Sequence, residues 1–354
     1  MHRLFALLCL SLCATACLPQ SSRSDPQADF EAFWSLYDKR YALFGVKHVD
    51  WDAVYKVYRP KVTAKTSRVE LFQIFGEIIR LLNDVHAEVE DQRTGRTIRS
   101  GGRSIGTGPF DIGVFSHDLI ESAYARKGLK RRAGNVFRFG WLSGDIGYVH
   151  IRAFRRRSAS VRAIDEVVET FENARAIVID VRQNSGGDDR IGRLIANRFA
   201  SKRRLYMTVA ARLRGSGRRA FGKPVEWYVE PAGPKQFQGP IMVLTNSRSI
   251  SAAENFVLAM RAIPRALIVG ETTAGVMADA ITEEIGDDWE FSVAINLFRD
   301  AQGVSWEGIG LVPDLWVTNN KTDIASGSDR VLDVALSFAG KTVAPGRRLR
   351  VVPR

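Results

Sequence analysis

Cysteine is nearly absent from this 354-residue chain, and histidine is scarce. The three cysteines, Cys9, Cys13 and Cys17, all lie within the first 17 residues, and the chain has five histidines. Once residues 1–16 are removed, no intrachain disulfide can form, and no Cys/His cluster of the zinc-binding kind is present. We therefore expect a protein without a metal or an organic cofactor that depends on its apolar core, for which 45% hydrophobic residues suffice.

Long hydrophobic runs are also lacking after the N-terminus. The run Leu4–Leu12 is too short to span a bilayer, and with its basic start and small following residues it has the pattern of an export signal. The sequence Ala14-Thr15-Ala16-Cys17 resembles a bacterial lipobox, although alanine replaces the usual leucine. We expect residues 1–16 to be a leader with Cys17 lipidated, ordinary signal-peptide cleavage being the alternative. The protein is then periplasmic or a membrane-anchored lipoprotein.

Acidic residues are outnumbered, and the formal net charge is +12. The basic clusters are short, as at Lys130–Arg132 and Arg155–Arg157, and they are spread over predicted helices and loops. Such a charge could suit anionic lipid, a cell-wall polymer or nucleic acid, but its scattered distribution favours a solvated surface, and the expected export disfavours nucleic acid. We therefore expect no nucleic-acid partner.

Changes in composition divide the chain into regions. A polar linker, residues 17–27, leads to residues 28–92, where apolar residues recur at helical spacing and predict a small helical domain. Residues 93–135 predict loops and short strands, a stretch too short for a complete inserted peptide-binding domain. From 136 to 342 strands and helices alternate, which indicates an α/β layer fold, and a basic tail occupies 343–354.

The helical domain is expected to contain three helices. The aromatic stripe from Phe30 to Phe44 predicts one helix, and a second runs from Trp51 towards Tyr58. The third begins at a capping box, Ser67–Glu70, and gives way to a loop that contains His86. His86 therefore lies at an edge of this domain.

The segment Leu244–Met260 organises the rest of the chain. An apolar strand, Ile241–Thr245, ends in polar residues and is followed by a helix, with Ser251 at the joint. A serine there has its hydroxyl near the helix N-terminus, where unpaired N–H groups can stabilise an oxyanion. The same residues also fit a capping box, Ser251 to Glu254, which is the structural alternative.

Two glycine-rich turns accompany this segment. The turn Asp180–Gly187 leaves a buried strand as the serine segment does, so both turns should emerge at the same end of the sheet. Its Gly186 and Gly187 could expose N–H groups where a side chain would intrude. The second turn, Trp306–Asp314, places an acid between glycines. The alternative for Asp180–Gly187 is a tight turn without function. The alternative for Trp306–Asp314 is a solvated loop without function.

Four motifs occur in a fixed order along the chain. They are the histidine at the end of the helical domain, D-x-R-x-N-x-G-G, S-x-S-A-A-E and E-G-x-G-x-x-P-D. In this order they resemble the C-terminal-processing, or tail-specific, serine peptidases, and most of all the branch that holds the tricorn protease core and the interphotoreceptor retinoid-binding protein. The resemblance covers residues 28–92 and 136–320. It implies a ββα-superhelix core of the ClpP/crotonase type behind a helical-bundle domain.

The resemblance also implies a Ser/His/Glu site that hydrolyses a peptide or protein substrate through an acyl-enzyme. The implied residues are the nucleophile Ser251, the general base His86 and its orienting acid Glu307, with the N–H groups of Ala252 and of Gly186 or Gly187 as the oxyanion hole. This is the logic of a catalytic triad on another fold.

Three positions qualify this assignment. Val276 stands where peptidases with a Ser/Lys dyad have lysine, so the role of base passes to His86. Val85 stands where the tricorn core has a serine beside its histidine, so we expect the base to be tuned differently. His117 is the other candidate for a general base.

Two functions without catalysis fit the same sequence. Retinoid-binding relatives use this fold to hold apolar ligands, so a catalytically weak or inactive module that binds a peptide or an apolar ligand is the main alternative. A lipid-anchored envelope scaffold is the other. Retention of Ser251, His86 and Glu307 favours an enzyme. The sequence leaves cleavage preference, physiological substrate and oligomeric state undetermined.

Overall fold

The structure, a computed structural model, describes residues 25–101, 114–213, 217–218 and 220–339. The predicted leader, the predicted lipidation site Cys17 and the basic tail lie outside these residues. The helices are α1 Pro26–Arg40, α2 Phe44–Lys47, α3 Trp51–Tyr58, α4 Arg68–Leu81, α5 His117–Leu119, α6 Arg157–Thr170, α7 Asp189–Ala196, α8 Ala252–Arg261, α9 Lys321–Ala325 and α10 Arg330–Phe338. Within the described ranges, no helix combines the length and the apolar character that crossing a membrane would require.

The strands form three sheets. They are β1 Glu88–Asp91, β2 Arg96–Arg99, β3 Lys130–Arg132, β4 Phe137–Leu142, β5 Ile146–Ile151, β6 Ala176–Asp180, β7 Arg204–Ala211, β8 Val225–Val229, β9 Ile241–Thr245, β10 Ala266–Gly270, β11 Ala280–Ile285, β12 Trp289–Ala294, β13 Asn296–Asp300 and β14 Leu315–Trp316. The smallest sheet is antiparallel, in the order β13-β7-β8.

A seven-stranded sheet in the order β14-β10-β9-β6-β5-β4-β3 forms the centre. Its strands β5, β6, β9 and β10 are parallel, and β4 and β3 continue the sheet in antiparallel fashion. Helices α6, α7 and α8 cover one face and α10 covers the other, so every residue of β6 and β9 is buried. Parallel strands covered on both faces read as continuous apolar runs, which is how the sequence revealed them.

Strands β6 and β9 lie side by side and end together. They pair in parallel with Asp180 opposite Leu244. The turn after β6 leads to Gly186, and the turn after β9 leads to Ser251. The prediction that both turns emerge at one end of the sheet is confirmed.

The N-terminal helices pack around aromatic side chains. Helix α4 begins at the predicted capping box, in which the Ser67 N–H donates to Glu70. The prediction of one helix from Phe30 to Phe44 is wrong, because α1 ends at Arg40 and Phe44 begins α2. Between the two, the N–H of Ala42 donates to the carbonyl of Ala294 in β12, and that bond takes the chain out of the helix.

A four-stranded antiparallel sheet, in the order β11-β12-β1-β2, joins the helical region to the rest of the chain. Strand β1 starts two residues after His86 and pairs with β12, with Val89 opposite Phe291. The Phe291 ring also packs against Phe33 of α1, with ring centroids 5.1 Å apart. The loop that carries His86 is therefore anchored by a strand from much later in the chain.

A buried ion pair holds the end of β6. Arg182 is 1% exposed, and its guanidinium donates to both carboxylates of a pair, Asp180 at 2.7 Å and Asp329 at 2.9 Å. Asp329 caps α10, so the arginine joins the glycine-rich turn to the opposite face of the sheet.

We expect Arg182→Leu to lower the free energy of unfolding by about 3–5 kcal/mol, because it leaves two buried carboxylates without a cation. Urea unfolding followed by tryptophan fluorescence measures the change. Arg190→Leu is the matched control, since the Arg190 side chain is 64% exposed in its pair with Asp188 and should contribute less than about 1 kcal/mol. Equal losses in the two variants would contradict the structural role of Arg182.

Candidate active site

Ser251 lies immediately before α8 in a strained backbone conformation, with φ 58° and ψ −120°. A non-glycine residue in such a conformation costs about 1–3 kcal/mol and persists only when its surroundings impose it. The segment Ala252–Met260 behind it is buried throughout, whereas Ser251 itself is half-buried. A sharp strand-to-helix turn of this kind presents a serine hydroxyl at the positive end of a helix.

Glu254 fixes the start of α8. Its carboxylate is fully buried and accepts the N–H of Ser251 at 3.2 Å, which is one half of the predicted capping box. It also accepts the hydroxyl of Thr273 at 2.6 Å and the N–H groups of Gly275 and Val276 at 2.7 and 2.8 Å. Glu254 therefore links the turn that carries the candidate nucleophile Ser251 (the nucleophile turn) to the loop after β10.

Gly186 lies directly against the nucleophile turn. A Cβ on Gly186 would lie 2.9 Å from the Ser251 Cβ, and φ at Gly186 is 79°. Gly187 has φ 135°, and a Cβ there would lie 2.2 Å from the carbonyl oxygen of Phe154. Only glycine fits at either position, which accounts for the Gly-Gly pair in the sequence.

The backbone N–H groups distinguish the two glycines as oxyanion donors. The Gly186 N–H donates to the side chain of Asn184 at 2.9 Å. The N–H groups of Gly187 and Ala252 have no acceptor among the described residues. Unpaired donors next to a nucleophile are what a developing oxyanion needs. Of the two alternatives that the sequence left open, Gly187 therefore fits the role better, and Gly186 shapes the loop.

His86 lies between two buried carboxylates. Its Nδ1 is 3.4 Å from the Asp84 Oδ1. One side-chain oxygen or nitrogen atom from each of Asp84, His86 and Glu307 lies within 4.8 Å of the other two. Asp84 is 1% exposed and Glu307 is 5% exposed. The structure thus brings the predicted His86 and Glu307 together, and it adds Asp84, which the sequence reasoning missed.

The sequence did contain a signal for Asp84. Its Oδ1 accepts the backbone N–H of His86 at 2.9 Å, which is an Asx turn. The Asp84 N–H donates in turn to the Ser100 hydroxyl at 3.0 Å. An aspartate two residues before a histidine at a helix end is therefore a pattern that fixes the histidine backbone.

The charges around His86 shift its pKa and those of its neighbours. Burial lowers the pKa of His86, but the Asp84 and Glu307 carboxylates outweigh burial and leave it above the usual 6.5. Burial raises the pKa of Glu307 to about 7, and the charge of Asp84 adds to that rise. Burial also raises the pKa of Asp84, yet the contacts with His86 leave it lowered. Asp84 is therefore the more fully ionised partner of the imidazole.

The segment from Thr273 to Ala278 connects the two halves of the site. The N–H groups of Met277 and Ala278 donate to the Glu307 Oε2 at 2.7 and 3.0 Å, and the start of the segment is held by Glu254. The predicted residues thus form two groups, Ser251 with Ala252, Gly186 and Gly187, and His86 with Glu307. No hydrogen bond within the described residues joins His86 to Ser251.

Two further predicted positions can be located. Val276, which stands in place of the dyad lysine, is 5% exposed and contributes only its N–H to Glu254. His117 packs against His150, with ring centroids 4.4 Å apart. Burial and the neighbouring His150 lower the pKa of His117 to about 3, which makes it a weak base.

Within the described ranges, one group of side chains is close enough together to hold a divalent cation. It consists of Asp84, His86 and Glu307. Glu307 already uses Oε2 to accept two N–H groups, and the positive charge of Lys47 acts on both carboxylates. A carboxylate–imidazole set beside a lysine suits the movement of a proton better than the binding of a metal. The expected absence of a metal stays a prediction.

Comparison with known proteins gives two regional matches. Residues 145–317 match Peptidase family S41, and residues 22–80 match the Tricorn protease C1 domain. The carboxy-terminal-processing protease of Bartonella bacilliformis is 26% identical over 198 residues, which are 54% of this chain and 43% of that protein. The chloroplastic carboxyl-terminal-processing peptidase 2 of Arabidopsis thaliana is 26% identical over 174 residues, 49% and 32% of the two chains. The chain spans less than half the length of these curated relatives.

A solved structure covers more of the chain. The crystal structure of a Parabacteroides merdae protein designated a peptidase superposes with a TM-score of 0.75 at 25% identity, covering 90% of this chain and 97% of that one. The predicted α/β fold with a helical N-terminal region is confirmed, as is the resemblance to the C-terminal-processing peptidases.

Proposed function

Because residues 145–317 match Peptidase family S41, we propose that this chain is a serine-type endopeptidase that hydrolyses peptide bonds through an acyl-enzyme. The observation that carries the proposal is the nucleophile turn. Ser251 is held in a strained conformation at the start of α8, beside the unpaired N–H groups of Gly187 and Ala252. The substrate is then a peptide or a protein.

In the proposed reaction, the Ser251 hydroxyl oxygen attacks the carbonyl carbon of the scissile bond while neutral His86 takes the hydroxyl proton. The N–H groups of Gly187 and Ala252 hold the oxyanion of the tetrahedral intermediate. Protonated His86 then gives its proton to the leaving amine, and the carbon–nitrogen bond breaks to leave an ester on Ser251. A water molecule repeats these steps to release the acid and restore the enzyme.

Asp84 and Glu307 support the base in this scheme. Their carboxylates stabilise the imidazolium that forms when His86 accepts a proton, and Glu307 is itself held by the segment before β11. The transfer requires a heavy-atom distance of about 2.6–3.2 Å between His86 and the Ser251 oxygen. Catalytic hydrogen bonds commonly tighten to this range when the substrate binds.

A fluorophosphonate probe, which reacts with activated serines, tests the proposal. We expect one adduct, mapped by mass spectrometry of peptides to Ser251, and loss of peptide hydrolysis in the labelled protein. Heat-denatured protein is the control and should stay unlabelled. A folded protein that binds peptide or an apolar ligand saturably, without an adduct at Ser251, would instead be the inactive binding module.

We expect Asp84→Asn to move the acid limb of the pH–activity profile to lower pH. The Asp84 carboxylate favours the protonated imidazole, so its loss lowers the pKa of His86 and leaves the base neutral in more acidic solution. The measurement is kcat/KM between pH 5 and pH 9, a range that brackets the ordinary pKa of histidine at about 6.5.

Glu88→Gln is the control for that experiment, since it makes the same change in net charge on β1 at a side chain paired with Arg99. An unshifted profile in Asp84→Asn, or an equal shift in Glu88→Gln, would show that Asp84 does not tune the base.

We also propose that the protein is exported and anchored through Cys17. The short apolar run and the Ala-Thr-Ala-Cys sequence support this, and both lie outside the described residues. Intact mass of the protein isolated from a bacterial envelope fraction tests it. A mature chain that begins at a diacylated Cys17 is expected, whereas a retained residue 1 would contradict export.

A further inference from the structure

Asp189 and Asn255 lie on the two helices that flank the nucleophile turn. Asp189 is the first residue of α7, two positions after Gly187, and Asn255 is one turn after Ser251 on α8. Where the helices cross, a Cβ on Gly192 would lie only 3.5 Å from the carbonyl oxygen of Ala252. The close crossing brings the first turns of the two helices together beside Ser251.

The Asn255 amide is buried without satisfied hydrogen bonds. The residue is 2% exposed, and neither its Oδ1 nor its Nδ2 has a hydrogen-bond partner within the described part of the chain. A buried side-chain amide normally finds partners, because leaving its oxygen and nitrogen unpaired is costly. The Nδ2 group faces the Asp189 carboxylate, so it is the Asn255 oxygen that lacks a donor and can receive one from a group that arrives from outside the chain.

The Asp189 carboxylate faces the Asn255 amide and forms no ion pair with a described residue. Burial raises the pKa of Asp189 to about 7, and Asp279 and Asp188 add to the rise, whereas the Asn255 amide facing the carboxylate and the charge of Arg190 lower it. The neighbouring Arg190 is occupied by Asp188, with bonds of 2.8 and 2.9 Å. No ion pair involves Asp189 within the described ranges. An acid in the first turn also interacts favourably with the dipole of α7, but that interaction does not explain why the buried Asn255 oxygen lacks a donor.

We propose that Asp189 and Asn255 form a subsite for a cationic side chain, lysine or arginine, next to the scissile bond of the substrate. The inference rests on the proposed peptidase function. The Asp189 carboxylate would accept a charge-assisted hydrogen bond from the ammonium or guanidinium, and the Asn255 oxygen would accept a second. An anionic side chain does not fit, because Asp189 and the nearby Asp279 would repel it.

Peptide pairs that differ only in lysine or norleucine at each position around the scissile bond test the subsite. At one position, wild type should cleave the lysine peptide with a higher kcat/KM. Asp189→Asn should lower kcat/KM for that peptide by about 10- to 100-fold, the loss expected for a buried charge-assisted bond, and leave the norleucine peptide within about twofold. Asp188→Asn is the matched control, because it makes the same change in charge one residue away and asparagine still caps α7.

Fluorophosphonate labelling of Ser251, measured in parallel, distinguishes a failure of the subsite from a failure of the proposed peptidase function. Normal labelling without a lysine preference in wild type overturns the subsite alone, and so does an equal loss in Asp188→Asn and Asp189→Asn. Absence of labelling in wild type overturns the peptidase function and the subsite with it. If Asp189→Asn does not fold, the ratio of kcat/KM for the lysine and norleucine peptides in wild type decides whether the subsite exists.

Discussion

Ser251→Ala should abolish peptide hydrolysis, with kcat falling by about a millionfold as in other serine peptidases that lose their nucleophile. Without the hydroxyl no acyl-enzyme can form, and the N–H groups of Gly187 and Ala252 alone give only a small residual rate. Hydrolysis of a fluorogenic peptide measures the loss, and the fluorophosphonate adduct should disappear with it.

Ser247→Ala is the matched control for this variant, because Ser247 is an exposed serine in the same turn. It should keep full hydrolysis and full labelling. If folded Ser251→Ala still hydrolyses peptides, or still takes up the probe, the nucleophile is another residue and the proposed reaction is wrong.

His86→Ala is the second variant with a very large expected effect. Loss of the base leaves the Ser251 hydroxyl protonated through the attack, and in triads the loss of the histidine costs about as much as the loss of the serine. The variant should differ from Ser251→Ala in one respect. The hydroxyl remains, so slow labelling of Ser251 should persist and increase with hydroxide concentration.

Two other histidines serve as controls for the base. His48→Asn alters an exposed histidine in a left-handed conformation, with φ 56°, that asparagine tolerates, and it should not affect turnover. His117→Gln tests the other candidate from the sequence. If His117→Gln loses most of its turnover while His86→Ala stays active, the general base is His117 and not His86.

The nucleophile segment could be predicted because its signals are local. The apolar run became β9, Ile241–Thr245, and the helix after Ser251 became α8, Ala252–Arg261. The same holds for α3, which ends at Tyr58 shortly before Pro60, where the chain continues as a short 3-10 helix, Arg59–Lys61. Such elements are set by residues within a few positions of one another.

Contacts between distant parts of the chain were not predictable in this way. Glu254 fitted a capping pattern, but its bonds to Gly275 and Val276 depend on how β10 lies beside β9. The Asx turn that joins Asp84 to His86 is local, but the position of both residues beside Glu307 depends on the fold. The choice between Gly186 and Gly187 likewise depended on which N–H the Asn184 side chain uses.

The pairing of β1 with β12 has a consequence for biosynthesis. The ribosome makes the His86 loop early, but the strand that anchors it ends at Ala294, and Glu307 comes later still. During synthesis from the N-terminus, an emerging chain cannot assemble the complete set of catalytic groups until most of the polypeptide exists. Delayed maturation of this kind would keep the proposed proteolytic centre inactive while the chain is still being synthesised.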